Sequence, residues 1–517
     1  MSKRLLSLAI LAGLFFCQGL PPVAAQAIKP MKVQGYNLDF AKVPYQKKTA
    51  TVQGKELAYR AYEGIVYVKH PVDLTYETMN IYIPDNYFSK QKQGIYDAAT
   101  APIFFPNTVG GYMPGEAGRP EIDNRTGKEN AALIALSRGL VVAEPGARGR
   151  TNKDIDGSYT GKAPAAIVDL KAAVRYLRLN DEKMPGNAER IISNGTSAGG
   201  ALSALLAASG NNKDYEPYLA ALGAARTRDD IYAASVYCPI TNLDNADKAY
   251  EWYFAGVYDY TRHGLPGMMP SPGSRLPLLP KNFTPKVLTG TMTAEQIKLS
   301  KALAAKFPSY VNILGMTSKG EPLVLDSTGD GTFKDYVKSF IIASAQKAID
   351  KGQDLSQFTW LKTIENGKKA IGLDFPGYVQ YVRRMKTTPD FDGVDLKNGE
   401  NEEFGSYTTK ARHFTDFSFK HSMVKGSLAE EQVIKMMNPM PYLEAEGTQR
   451  ARFWRIRHGA IDSDTALVIP LILATKLSNL GYNVDFAVPW GQGHGGDYDL
   501  TELFQWIEKI VPSTPKK

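Results

Sequence analysis

Short apolar runs, each closed by a turn signal, fill the first half of the chain and return near its end. Met79-Asn80-Ile81-Tyr82-Ile83, ended by Pro84, reads as a strand. Thr49 to Val52 and Leu57 to Tyr62 flank Gln53-Gly54-Lys55-Glu56 as a hairpin. Ile103-Phe104-Phe105 is apolar on both faces, as a central strand is. From residue 130 helix and strand spacing alternate. Asn130 to Arg138 predicts a helix stopped by Gly139, and Leu140 to Ala143 a strand. Pro164 to Leu179 predicts an amphipathic helix with Ile167, Leu170, Val174 and Leu177 on one face. A strand ending in Ile191-Ile192, a small-residue helix through Ala208 and a strand Ala233 to Cys238 follow. Such alternation implies a mostly parallel sheet with helices on both faces.

The alternation stops after Pro239 and resumes near residue 452. Between them, Ala294 to Phe307 and Phe333 to Lys351 carry helical spacing, whereas the proline- and glycine-rich Gly264 to Phe283 predicts loop. Phe453 to Ile456 then predicts a strand, followed by a helix to Leu480, a strand Asn483 to Val488 and a closing helix Leu500 to Ile510. The expected organisation is a core in two parts, 28–239 and 421–517, with a large, mainly helical cap, 240–420, inserted between strands.

Residues 1–27 read as a secretory signal. Lys3 and Arg4 precede an apolar run, Leu5 to Phe16, too short to span a bilayer, and cleavage is expected near Ala27. A secreted or periplasmic location follows, and no later stretch is apolar enough for a membrane span. Removing the signal removes Cys17, so Cys238 remains alone and no internal disulfide can form. The formal net charge is +8, with acidic residues interspersed among basic ones, which reads as a solvated surface and not a nucleic-acid stripe. Asp326-Ser327-Thr328-Gly329-Asp330-Gly331 resembles the start of a calcium loop, but Val337 stands where the terminal glutamate belongs, so a structural turn is expected and no metal. Nothing in the pattern reports an oligomeric state.

The chemistry concentrates at Gly195-Thr196-Ser197-Ala198-Gly199, between the Ile191-Ile192 strand and the Ala201 helix. This is the nucleophile-elbow pattern of an α/β-hydrolase: the turn is so tight that residues two before and two after the serine must be small. Ser197 is then a nucleophile and the Ala198 N–H an oxyanion donor. A second donor is expected in the glycine-rich loop Asn107 to Tyr112 after an early strand, with Gly111 preferred. In this fold the acid and then the histidine follow the serine along the chain. His494, in Gly491-Gln492-Gly493-His494-Gly495-Gly496 after the last strand, fits. His70 precedes the elbow, His263, His413 and His421 fall in the insert or at its edge, and His458 precedes the acids. Both Asp462 and Asp464 can serve as the acid, and order along the chain does not choose between them.

Gly195 to Ser203 with Ala208-Ser209-Gly210-Asn211, Arg457-His458-Gly459 with Asp462 and Asp464-Thr465, and Met385-Lys386-Thr387-Thr388-Pro389 with Glu400-Asn401 and Phe404-Gly405 together resemble the bacterial tannases. The resemblance runs from about residue 50 to the last helix. It implies an α/β-hydrolase with a large inserted cap that cleaves galloyl esters and depsides without a cofactor. It also implies Ser197, Asp462 and His494 as the triad, and Lys386, Glu400 and Asp464 as contacts to the phenolic hydroxyls. The chemistry fits: carboxylates accept from phenol O–H and an ammonium donates to phenol oxygen. The competing expectations are an esterase for hydroxycinnamates or other phenolic esters, and a catalytically inactive hydrolase fold that only binds.

Overall fold

The computed structural model describes residues 35–122, 127–263 and 287–511. The expected signal sequence 1–27 lies outside the described residues, as does the expected loop over 264–283.

Nine strands form one sheet: β1 (Gln46–Val52), β2 (Lys55–Val66), β3 (Thr78–Pro84), β4 (Pro102–Pro106), β5 (Val141–Pro145), β6 (Asn187–Thr196), β7 (Ala233–Tyr237), β8 (Phe453–Arg457) and β9 (Asn483–Ala487). Their order across the sheet is β1-β2-β3-β5-β4-β6-β7-β8-β9. β1 to β3 are mutually antiparallel, and β3 is antiparallel to β5. From β5 to β9 every pairing is parallel. Every residue of β5 and β7 is buried, which explains why both are apolar apart from Glu144 and Ser235: each strand is covered on both faces. The helix Ala165–Leu179 supplies part of that cover, with Ile167, Leu170, Val174 and Leu177 fully buried. The sheet and its helices are the α/β-hydrolase fold.

Strand order reverses at β4, whose neighbours are β5 and β6. Chain connections diverge at such a point, leaving a crevice at the carboxyl ends of the strands. The loops leaving β4 and β6 carry Gly111 and Ser197, the residues the sequence marks for chemistry.

Among the described residues, no strand between β7 and β8 joins the sheet. That segment holds helices Leu243–Tyr253, Ala294–Ala304, Phe307–Ile313, Thr332–Asp350, Phe375–Val382 and Gly399–Glu403. It also holds three two-stranded antiparallel ladders: Asp259–His263 with Val287–Thr291, Thr317–Ser318 with Glu321–Pro322, and Leu361–Ile364 with Lys369–Leu373. The sequence reading has helix and irregular chain here and no ladders. The strands are too short for alternation to register, although Asn366-Gly367 in the last hairpin is a strong turn dipeptide.

This segment is tied to the loop after β8. Tyr378 Oη donates to the Ala460 carbonyl at 2.6 Å and Tyr250 Oη to the Ser463 carbonyl at 2.7 Å. The Met385 amide donates to Tyr250 Oη at 3.1 Å. Arg384 and Glu251, both fully buried, form a bidentate pair at 2.7 and 3.1 Å, and Arg384 Nε donates to the Lys386 carbonyl at 2.8 Å. These contacts fix where Lys386 stands relative to Asp464.

Candidate active site

Ser197 occupies the turn between β6 and the helix Ala198–Ala208, with φ 58° and ψ −123°. A non-glycine residue held in this sparsely populated region is strained, and surroundings must enforce it. They do. A Cβ on Gly195 would stand 2.3 Å from the Gly199 carbonyl oxygen, and one on Gly199 would stand 2.6 Å from Asn107 Oδ1 and the Val109 oxygen. Both elbow glycines are therefore required by contact. Asn107 Nδ2 donates to the Gly199 carbonyl at 3.1 Å and to Ser203 Oγ at 3.0 Å, pinning the loop after β4 to the elbow helix.

That loop ends in a tight turn: the Met113 amide donates to the Gly110 carbonyl at 2.9 Å, with φ of 53° at Gly111 and 55° at Tyr112. Gly111 is exposed, no atom lies within 4 Å of where its Cβ would be, and its N–H donates to no described residue. As the first residue of its helix, Ala198 has an N–H without an intrahelical partner. These are the properties an oxyanion donor needs.

The loop after β9 docks on the elbow. A Cβ on Gly496 would stand 2.0 Å from Thr196 Oγ1, and Asn194 Nδ2 donates to Asp497 Oδ1 at 3.1 Å. His494 is thereby held with Nδ1 2.9 Å from Asp462 Oδ2. The other Asp462 oxygen accepts from the amides of Asp464 and Thr465 at 2.9 and 3.1 Å. Burial alone would raise the Asp462 carboxyl, but His494 and these bonds hold it near 2. His458, with Nδ1 3.7 Å from Asp462 Oδ2, is pushed by burial to about 4 and stays neutral behind the pair.

Nε2 of His494 faces Asp464 Oδ2 at 3.2 Å and Cys238 Sγ at 4.0 Å. No hydrogen bond joins it to Ser197 among the described residues. Catalytic hydrogen bonds are often long in a free enzyme and tighten with substrate. Cys238 borders both groups, since its thiol contacts the Ser197 amide and the His494 ring. Cys238, Asp462 and His494 also bring three metal-ligating atoms within 4.8 Å, but Asp462 and Nδ1 already satisfy each other.

Lys386 and Asp464 form an ion pair at 2.7 Å, and Lys386 sits 4.2 Å over the Phe391 ring. Burial would lift Asp464, yet Lys386 and then His494 hold it below the usual carboxylate range. Glu400 lies near enough to feel Lys386, but burial dominates and raises it. Burial also raises Asp390, beside Lys386, and neither of its oxygens has a hydrogen-bond partner among the described residues. The four side chains make a polar floor next to His494, of which the sequence reading had named Lys386, Glu400 and Asp464.

No motif marks Cys238 or Asp390, and the sequence reading misses both as site residues. It also gave no sign of a second Ser–His–Asp arrangement, Asp392–His413–Ser422, at 2.8 and 2.9 Å. Asp392 there accepts from the Phe414 and Thr415 amides and from Asn401, and Ser422 donates to the Val424 carbonyl at 2.8 Å. Ser422 sits on no elbow, and the arrangement ties neighbouring loops together.

The family model BD-FAE matches residues 152–251, which include the elbow. No curated protein matches the chain. Among solved structures, the chain is similar to the tannase of Fusobacterium nucleatum, at 50% identity and a TM-score of 0.87, over 92% of this chain and 100% of that one. It is similar to the tannase of Lactobacillus plantarum at 44% identity and a TM-score of 0.86, over 92% and 100%. A tannin acyl hydrolase in complex with ethyl gallate aligns at 43% identity and a TM-score of 0.84, over 92% and 99%. Half of all residues identical, along nearly the full length of both chains, is far more than a shared fold requires, and the protein belongs to the tannase family.

Proposed function

We propose that the protein is an exported serine esterase that hydrolyses galloyl esters and depsides through a galloyl-enzyme. Ser197 Oγ attacks the ester carbonyl as His494 Nε2 takes its proton, and Asp462 holds the ring and stabilises the imidazolium. The N–H groups of Ala198 and Gly111 receive the oxyanion. His494 then protonates the departing alcohol, and water, activated by the same ring, releases gallate. Residues 240–420 act as the cap that carries Lys386 and Glu400, two of the ring-binding groups, and residues 1–27 direct export.

The observation that carries this reading is the Lys386–Asp464 ion pair at 2.7 Å, with Asp464 also 3.2 Å from His494 Nε2. It sets a donor and an acceptor for phenolic hydroxyls beside the base. Three adjacent hydroxyls on a galloyl ring can satisfy Lys386, Glu400 and Asp464 together, whereas a ring without them covers these polar groups with nothing that can hydrogen-bond to them. The ethyl gallate complex of a relative 43% identical to this chain supports the same substrate class. Incubation of the purified protein with methyl gallate and methyl ferulate side by side tests it. Faster turnover of the ferulate would transfer the assignment to a hydroxycinnamate esterase. Failure of a fluorophosphonate to label Ser197 would indicate an inactive binding protein.

A further inference from the structure

Arg150, on the loop after β5, reaches both halves of this site while touching neither Ser197 nor His494. Its Nε donates to the Gly111 carbonyl at 2.8 Å, and its backbone N–H to the Tyr112 carbonyl at 2.8 Å. With the Met113 bond to Gly110, three successive carbonyls of the turn are held, which fixes the direction of the free Gly111 N–H. From the other edge of the same guanidinium, Nη1 pairs with Glu402. Glu402 lies on the short helix Gly399–Glu403, two residues from Glu400. The fit is close: a Cβ on Gly399 would stand 3.1 Å from Arg150 Cζ. Lys162 Nζ donates to the Arg150 carbonyl at 2.6 Å, and the Ala163 amide to the Glu403 carbonyl at 2.9 Å, so the same loop grips the helix from below. Arg150 itself is 7% exposed.

We propose that Arg150 is a positioning residue that couples the two recognition events, setting the Gly111 N–H for the ester oxyanion and the Glu400 helix for the phenolic ring. This deepens the hydrolase reading and rests on it. A guanidinium suits the task because it is a rigid fork with donors on two edges, always charged. A lysine ammonium gathers its three donors at one point and cannot span partners on two edges in this way. Glu400, Glu402 and Glu403 are three acids on five consecutive residues, and Arg150 is the cation common to their electrostatics. Removing it therefore loosens the turn and also takes from the helix the one cation common to all three acids, leaving Glu402 with Lys410 at 3.0 Å.

Two substrates separate the halves. 4-Nitrophenyl acetate has no ring on its acyl side to bind in the phenolic floor and reports the oxyanion turn, whereas methyl gallate reports both. Arg150→Met is expected to lower kcat on 4-nitrophenyl acetate roughly tenfold to a hundredfold, the scale of a misplaced oxyanion donor. The same variant should also raise KM for methyl gallate. Glu402→Gln, which cuts only the cap side, is expected to raise KM for methyl gallate and leave kcat on the acetate within about twofold. A structural role alone would not divide kcat from KM between the two esters in this way. Arg150→Met with wild-type kcat on the acetate overturns the proposal. If Arg150→Met does not fold, Arg150→Lys, which keeps the charge, must still lose kcat on the acetate, and unchanged kcat overturns the proposal equally. Wild-type protein that cleaves neither ester would instead remove the hydrolase reading, and this inference with it.

Discussion

Asp464 Oδ2 lies 3.2 Å from Nε2 of His494, the ring edge opposite the one that Asp462 occupies at 2.9 Å. The imidazole of the free protein is thus held between two carboxylates. Burial would lower its pKa, but Asp462, then Cys238 and Asp464, outweigh burial and raise it well above the ordinary histidine value. In the proposed mechanism His494 must be neutral to accept the Ser197 proton, so each neighbouring carboxylate is expected to delay the onset of activity to higher pH.

Asp464→Asn should therefore move the acid limb of kcat/KM to lower pH on 4-nitrophenyl acetate. The sign follows from the charge: a carboxylate favours imidazolium, and its loss frees the base at a lower pH. On methyl gallate the same variant loses a charge-assisted contact of about 1.5–3 kcal/mol, a drop of roughly tenfold to a hundredfold. A pH profile on both esters checks both statements, and an acid limb that stays in place or rises contradicts the first.

Asp462→Asn acts on the other nitrogen and should depress every ester alike. The amide can hold the wrong tautomer and cannot stabilise the imidazolium, an effect of several kcal/mol in serine proteases, about 10⁴-fold in kcat. If Asp462→Asn keeps the simple ester while Asp464→Asn loses both, the roles of the two aspartates are reversed.

Ser197→Ala should abolish turnover of methyl gallate with thermal stability at least equal to the wild type. The hydroxyl bonds to no described residue, and alanine in the same strained conformation removes only the reacting atom. Turnover within a few-fold of wild type would exclude Ser197 as the nucleophile.

Glu251→Ala should destabilise the insert. It leaves Arg384, fully buried, without its bidentate partner. Removing one member of a buried pair costs about 3–5 kcal/mol. Because Arg384 Nε holds the Lys386 carbonyl, methyl gallate activity should fall further than activity on the acetate. Urea unfolding followed by far-UV circular dichroism measures the first effect, and a loss under about 1 kcal/mol, that of an exposed pair, would show the pair to be solvent-relaxed.

The sequence by itself determined the sheet, its break and the elbow. Strands covered on both faces are mostly apolar, so β4, β5 and β7 stood out, and the end of helix–strand alternation near Pro239 marked where the sheet is interrupted. The glycines flanking Ser197 were readable because the turn admits no Cβ, a local rule that the 2.3 Å and 2.6 Å approaches at Gly195 and Gly199 express directly. Tertiary structure alone decided which aspartate meets which nitrogen of His494. Asp462 and Asp464 are two residues apart on one loop, and their order says nothing about side-chain direction once the loop has folded against β9. It alone put Cys238 between Ser197 and His494, because a lone cysteine at a strand end has no pattern. Arg150 was equally silent: its partners are 39 residues before it and 252 after it. Contacts at that separation arise from how the insert sits on the sheet, and neither periodicity nor a short motif encodes them.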